Sequence, residues 1–549
     1  MAKNRRQRVQ SATQFCFRKS DRLGAPAAED DDQFLEHCFI DTGELEVLAN
    51  TQDARSVIVG RTGCGKTALL THLRNSHTHV ASIEPEHLSL QYLSNSEILT
   101  YLHSLGVRLD LFYRLLWRHI FTVELIQLRF DISTKDKQRN FLTKIQQLIG
   151  VNARQQAAFD YLRDWGESFW CDTEYRIKEV TQKLERDVTA GLGVKANALM
   201  GAVSGRSKLT ESETAEIVKR AQDVVNSVQI RKLSEVLDIL AEHFFDPAHG
   251  RYFIIIDRLD EDWVDDQLRY RLIRALIETI RSLRKIESAK VLIALRRDLI
   301  DRVFRETRDP GFQEEKYEAL VAPIRWTRSE LLNLLNVRLN YLVKSRYRKS
   351  AISIHDLFPR RIDSETIENF LISRTLYQPR DIILFANQCL SKALDQSTIT
   401  QAMVKHAEGE YSRKRLRALG DEWRSDFPYL FQLANRLKNR SRSFIPDELG
   451  DTDIEDAALS IAEHDPDGKT ELGRFALRLY QNEISNHDFR KRLILMYYRV
   501  GLVGLKPDAT SPIFWSFRGN ESITEAQIAK SMSLHITPAF YRVLGISVS

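Results

Sequence analysis

Gly60-Arg61-Thr62-Gly63-Cys64-Gly65-Lys66-Thr67 satisfies the spacing G-x-x-x-x-G-K-[ST] at every fixed position. These residue types are the ones needed to hold a nucleoside triphosphate. Glycines let the backbone turn tightly, so that successive N–H groups surround phosphates, and a helix starting after the turn adds its own N–H groups and the positive end of its dipole. Lys66 would reach the β- and γ-phosphates, and the Thr67 hydroxyl would hold Mg²⁺. A second position is Asp257, at the end of Tyr252-Phe253-Ile254-Ile255-Ile256. A carboxylate at the carboxyl end of a buried parallel strand sits where ligands bind, and this one would support the Mg²⁺ through water. The simplest pattern has a glutamate next. Arg258 stands there instead, which leaves Asp260 and Glu261 to orient the attacking water and is compatible with slow turnover.

Two further sets of arginines are candidates for contact with the γ-phosphate. Arg296 and Arg297 follow the apolar run 289–295, and either would lie beside the γ-phosphate; the alternative is a surface ion pair with Asp298 or Asp301. Arg380, in Gln378-Pro379-Arg380, falls in the first turn of an expected helix, with Pro379 at its start. An arginine there can couple hydrolysis to movement of a lid, or it can simply face solvent.

The elements that must position these groups are legible as apolar patterns. The run 57–59 is a strand leading into the glycine loop, and Ala68-Leu69-Leu70 continues a helix out of it. A short strand is expected over 79–84, ended by Pro85, another over 321–326, and an amphipathic crossover helix over 268–286. Residues 95 to about 246 recur mostly at helical spacing, which predicts a helical insertion, with a loop or hairpin at 191–207 where glycines cluster. Trp165, Phe169, Trp170 and Tyr175 within it are read as core packing rather than as a stacking platform. The domain reading is 1–50 as tail and lead-in, 51–330 as the nucleotide-binding domain, 331–410 as a helical lid and 411–549 as a C-terminal region. In that last region the helices 472–479 and 489–500, followed by strand-like runs at 512–517 and 533–536, suggest a winged helix.

Composition narrows the classes. At 549 residues the chain is too long for one core. Hydrophobic content of 43% and charged content of 28% are those of an ordinary globular protein. The net charge of +5 permits nucleic-acid partners without arguing for them. Residues 1 to about 33, basic at Arg5, Arg6 and Arg8 and acidic at 29–32, read as a solvated tail, and the basic clusters at 413–417 and 436–442 as solvated helix faces in preference to a nucleic-acid surface. Phe15, Phe34 and Phe39 are candidates to dock around a nucleotide base. The five cysteines form no C-x-x-C pair, and no run of eighteen apolar residues exists. A cytoplasmic protein without a membrane span is expected.

The pairing of GRTGCGKT with IIIDRLDE resembles the STAND-type signalling ATPases, including the NACHT group, whose metal-binding strand is followed by acidic residues three and four positions after its first Asp. Arg296-Arg297 looks like their sensor arginine. Gln378-Pro379-Arg380 resembles the lid arginine motif of origin-recognition-type AAA+ proteins, which also carry a winged helix after the lid. Over its whole length the chain resembles the FunZ-type P-loop ATPases of bacteria and prophages, a family associated with excluding infecting phages. The motifs that carry the resemblance span about residues 56 to 390. It implies an α/β P-loop NTPase of the ASCE class, with a parallel sheet, a helical insertion, a helical lid and a C-terminal winged-helix-like domain. It also implies a switch that binds and hydrolyses ATP with Mg²⁺ and acts in defence through a homo-oligomer or a partner effector protein. ATP is expected over GTP because no guanine-specific [NT]-K-x-D occurs. The alternative is a DNA-dependent ATPase, a motor or loader, that binds nucleic acid through its winged helix.

Overall fold

The computed structural model describes residues 15–88, 93, 95–130, 140, 143, 173–227, 230–243, 245, 250–308, 313–347, 352–519 and 523–547. The chain divides into two units. One comprises Gly43–Arg61 and Leu69–Ile324; the other comprises Met1–Thr42, Thr62–Ala68 and Arg325–Ser549.

The first unit is built on a parallel sheet of five strands: β1 (Val57–Gly60), β2 (His79–Ile83), β3 (Tyr252–Ile256), β4 (Ala289–Arg296) and β5 (Val321–Pro323), in the order β2-β3-β4-β1-β5. Every residue of β1 and β3 is buried, as are Ala289 to Leu295 of β4. Such unbroken apolar runs are what a parallel sheet covered on both faces requires. The register aligns Val57 with Ile293 and Ile293 with Ile256, so β4 lies between the strand that enters the glycine loop and the strand that ends in Asp257. Parallel neighbours need crossovers, and Asp266–Leu283 supplies the one from β3 to β4. Asp265 caps that helix by accepting from Leu268 N, and Leu272, Ile273, Leu276, Ile277 and Ile280 form its buried stripe.

Lys290 is an unusual occupant of a central strand. Its Nζ donates to Val47 O at 2.9 Å and Asn50 O at 2.7 Å, the last carbonyls of the helix Glu44–Ala49. A cation at a helix C-terminus complements the dipole and ties this segment to the sheet. Burial nonetheless pushes the ammonium down to about 8 from 10.5, with the Asp53 carboxylate opposing and Arg55 and Arg284 adding to the shift. Below about pH 8 both folded and unfolded chains hold the proton, and the cost of burying the charge is fully present. Between pH 8 and 10.5 only the unfolded chain holds it, so stability should rise with pH. Denaturant midpoints of wild type and Lys290→Met, measured from pH 7 to 10, should show this rise in the wild type alone; parallel curves would contradict it.

Between β2 and β3 the described residues form the helices Glu97–Ser104, Asp110–Phe130, Thr173–Leu192, Ala196–Val203, Glu211–Ser227 and Ile230–His243, with turns and short connections between them. Trp117, fully buried on the long helix Asp110–Phe130, donates from Nε1 to Leu272 O at 2.9 Å, which fastens the insertion to the crossover helix. The loop or hairpin expected at 191–207 is largely helical instead. The helix Thr173–Leu192 runs through Gly191 into a single 3-10 turn, Gly193–Lys195, and then the helix Ala196–Val203. Leu192 and Leu199 are both buried, and tertiary burial together with the helix-forming Ala196, Ala198, Leu199 and Met200 outweighs the glycines. Trp165, Phe169, Trp170 and the side chain of Tyr175 lie outside the described residues.

The second unit holds two hydrophobic cores. The first joins the helices Arg328–Tyr347, Ile367–Ser373, Pro379–Lys392 and Gln401–Glu422 and the small antiparallel pair β6 (Arg361–Ile362) and β7 (Glu365–Thr366). Residues 15–33 belong to this core and are not a solvated tail. Phe15, Phe17 and Leu23 are buried in it, and Phe17 bridges Leu394. Phe15 stacks edge-on against Phe17 and Phe34 against Tyr341, so packing within the domain accounts for both rings. Arg5, Arg6 and Arg8 lie outside the described residues.

The second core gathers the helices Asp451–His464, Glu471–Tyr480 and Asn486–Val500 with a three-stranded antiparallel sheet. Its strands β8 (Ser443–Phe444), β9 (Val503–Lys506) and β10 (Ser533–Ile536) run in the order β8-β10-β9. The strand expected at 512–517 does not form. Pro512 lacks an N–H for a ladder, Phe514 makes only an isolated bridge to Leu505, and Ser516–Arg518 is a 3-10 turn. The strand opposite β10 is β9. Among the described residues no helix is long and apolar enough to cross a membrane.

Candidate functional site

The glycine loop begins where β1 ends at Gly60. Gly63 and Gly65 adopt φ of +86° and +100°, the left-handed region that L side chains avoid, so the motif's glycines are required by the turn itself. Lys66 and Thr67 open the helix Lys66–Ser76. That helix carries no acidic residue in its first turn. A lysine at a helix N-terminus opposes the dipole, so this arrangement suits an incoming anion rather than the helix's own stability. Arg61 and Thr62 lie within the turn, and the Thr62 hydroxyl oxygen is buried without a hydrogen-bond partner among the described residues. Cys64 is buried, and desolvation pushes its thiol up against the opposing charge of Lys66, which keeps it a neutral packing group.

Within the same unit, the segments flanking Arg380 close over this loop. Arg380 N donates to Gly63 O at 3.3 Å, and a Cβ at Gly63 would stand 2.9 Å from Arg380 Cβ. The Arg380 Nε donates to Pro26 O at 3.2 Å. Trp326 Nε1 donates to Cys64 O at 2.8 Å. Arg380 is therefore seated on the glycine loop and does not simply face solvent. Pro379 at the helix start fixes that seat, since its ring presets the helical φ and its missing N–H is not needed there. Nothing in the local sequence singles out Trp326 or the Pro26 carbonyl.

In the sheet unit, Asp257 follows β3 and accepts from Arg258 N at 2.9 Å. Arg258 itself has φ +59°, which turns the chain sharply after the strand. Arg258 Nε lies 3.8 Å from Glu261 Oε1, and Arg269, buried on the crossover helix, donates to Glu261 O at 2.8 Å and Asp262 Oδ1 at 3.0 Å. The acidic turn is thus held at both ends. Burial raises the Glu261 carboxyl, opposed by Arg258 and reinforced by Glu86, Asp260 and Asp257.

The two arginines after β4 have different surroundings. Arg296, with 17% of its side chain exposed, makes a bidentate pair with Asp298, Nε to Oδ1 at 3.1 Å and Nη2 to Oδ2 at 2.9 Å. Its Nη1 lies 3.7 Å from Asp260 Oδ2. Arg297 is 63% exposed and pairs with Asp301 at 3.4 Å along its own helix. Asp257, Asp260, Glu261 and Arg296 are therefore brought together at the carboxyl ends of the neighbouring strands β3 and β4, and Arg297 lies on an exposed helical face. Both ion pairs foreseen as the alternative reading are present.

Residues 329–420 match the FunZ-associated C-terminal helical domain, a region that includes Arg380 and the part of the second unit's first core that lies between Leu331 and Tyr411. The chain is also similar to the transposon gamma-delta 80.3 kDa protein of Escherichia coli (strain K12). The identity is 21% over 549 residues, covering 97% of this chain and 68% of that protein.

Proposed function

We propose that this protein is a P-loop ATPase of the ASCE class that works as a nucleotide-controlled switch in phage exclusion. The observation that carries the reading is a lysine and a threonine opening a helix directly after a left-handed glycine turn, at the end of a buried parallel strand. The sheet order supports it, because one strand separates β1 from the strand bearing Asp257. Lys66 binds the β- and γ-phosphates with the loop N–H groups. The Thr67 hydroxyl and the Asp257 carboxylate are hard oxygen donors of the kind Mg²⁺ takes while retaining its own waters. Bound Mg²⁺ would neutralise phosphate charge during transfer. Glu261, whose proton affinity is raised, orients the attacking water, while Asp260 is engaged by Arg296. Arg380 reports the γ-phosphate to the helices at 329–420. The role in defence rests on the resemblance to FunZ-type proteins, with which the match over 329–420 agrees.

A second reading, a DNA-dependent ATPase, is favoured by the helices followed by a small antiparallel sheet in the C-terminal region, a winged-helix-like arrangement. Hydrolysis by the purified full chain, with and without duplex DNA and beside an Asp257→Ala control, separates the two. Slow DNA-independent turnover, lost in the control, is expected. Turnover that requires DNA would replace the switch with the motor or loader reading, and turnover surviving Asp257→Ala would remove that residue from the site.

A further inference from the structure

We infer that Trp326 is a positioning residue for the phosphate-binding loop, acting through the backbone of Cys64. The inference rests on the reading of residues 60–67 as a triphosphate site. A trans peptide is planar, with its C=O and the following N–H pointing in opposite directions. The indole N–H of Trp326 holds the Cys64 carbonyl at 2.8 Å, which directs the Gly65 N–H away from Trp326. In the adjacent peptide, Arg380 N–H holds the Gly63 carbonyl at 3.3 Å, which directs the Cys64 N–H likewise. Each of two consecutive carbonyls thus has a donor, from Trp326 and from Arg380, and the N–H across each peptide plane, that of Gly65 and that of Cys64, points away from that donor.

A glycine loop has little intrinsic preference for that arrangement. Gly63 and Gly65 each reach their φ because they carry no Cβ, and the same freedom admits many other conformations of the loop. Fixing the peptide planes in advance removes that ordering cost from the binding step. The indole also packs beside the turn, with Cζ2 at 3.9 Å from where a Gly65 Cβ would stand. Of the two holds, the one from Arg380 uses a backbone N–H that no substitution other than proline removes. The one from Trp326 uses a side chain and can be tested.

The test uses the full chain and a fluorescent N-methylanthraniloyl ATP with Mg²⁺, titrated into wild type, Trp326→Phe, Trp326→His and Lys66→Ala. Trp326→Phe keeps the apolar ring and loses the donor, so its Kd should rise about tenfold, the order expected for one lost hydrogen bond to a preorganised binding group. Its thermal midpoint without nucleotide should stay within about 2 °C of wild type, since one part-buried hydrogen bond is lost while the ring packing is kept. Trp326→His restores an N–H and should recover most of the affinity. In ¹⁵N-tryptophan-labelled protein, the indole resonance missing from Trp326→Phe should shift when ATP is added to wild type. Unchanged affinity in Trp326→Phe, or a loss matched by a similar collapse of the nucleotide-free midpoint and unrescued by histidine, overturns the inference. Wild type that fails to bind the nucleotide, or binding that survives Lys66→Ala, overturns the triphosphate reading itself and is seen separately.

Discussion

Lys66→Ala is expected to lower ATP hydrolysis by at least about 100-fold, the usual order for removing one preorganised charge contact to a phosphoryl group. The same substitution should leave the nucleotide-free fold intact or slightly firmer. Lys66 is the first residue of the helix Lys66–Ser76, where the macrodipole disfavours a cation by roughly 0.3–1 kcal/mol. The helix is held by its buried face, Leu69, Leu70 and Leu73, which the substitution does not touch. Stability and affinity should therefore move in opposite directions. Thermal melts of wild type and Lys66→Ala, with and without Mg-ATP, report both: nucleotide should raise the wild-type midpoint and leave the variant's where it was. A variant that melts lower without nucleotide would show that Lys66 serves the fold, and one that still gains stability from ATP would displace the phosphate-binding assignment.

Asp31→Ala should strongly destabilise the domain built on the helices between Arg328 and Glu422. Asp31 and Arg338 are each 3% exposed, and Arg338 Nη2 meets Asp31 Oδ2 at 2.6 Å. Arg338 Nη1 also donates to Leu23 O, and Asp31 Oδ1 accepts from Ala25 N, both at 2.7 Å. Gly24 stands so close that any Cβ there would strike the Asp31 carboxylate. Removing the carboxylate strands a buried guanidinium, at a cost of about 3–5 kcal/mol. The unfolding transition that carries this domain should drop by on the order of 10 °C. The double variant Asp31→Leu with Arg338→Met should recover only part of the loss, because it removes the stranded charge but leaves the Ala25 N–H and the Leu23 carbonyl without these partners. A drop of less than about 2 °C in Asp31→Ala would show that water reaches Arg338 and that the pair is not the anchor described. The consequence extends to the site. The segment pinned by Asp31 presents the Pro26 carbonyl to Arg380 Nε, so Asp31→Ala should also loosen the seat of Arg380 on the glycine loop.

How far the sequence carries depends on the range of the forces involved. The expected strands at 57–59, 252–256 and 289–295 coincide with β1, β3 and β4, because a largely apolar run is a local property that burial rewards wherever the strand sits, and the one expected from His79 forms as β2 although only its Ile83 is buried. The expected helix starting at Pro379 forms for an equally local reason. The helices through 191–203 were not legible, since their glycines point to a loop and only packing of Leu192 and Leu199 in the insertion overrides them. The run 512–517 has strand composition, yet its pairing with β9 is confined to the bridge between Phe514 and Leu505, since Pro512 has no N–H to extend it, and β9 takes the place beside β10.

The sequence by itself determined the chemistry available: a glycine loop with a lysine and a threonine, a strand ending in Asp257, and arginines after β4 and at 380. Those are covalent facts, and their local geometry follows from φ, capping and hydrophobic burial. The tertiary structure alone decided which groups meet. It placed β4 between β1 and β3, put Arg296 against Asp260 and Arg297 on an exposed helix, and folded residues 15–38 into the helices beyond 325. Trp326 and Cys64 are 262 positions apart, and Arg338 and Asp31 are 307 apart. No periodicity or spacing encodes such pairings, because a hydrogen bond across that distance exists only after the cores on either side have packed.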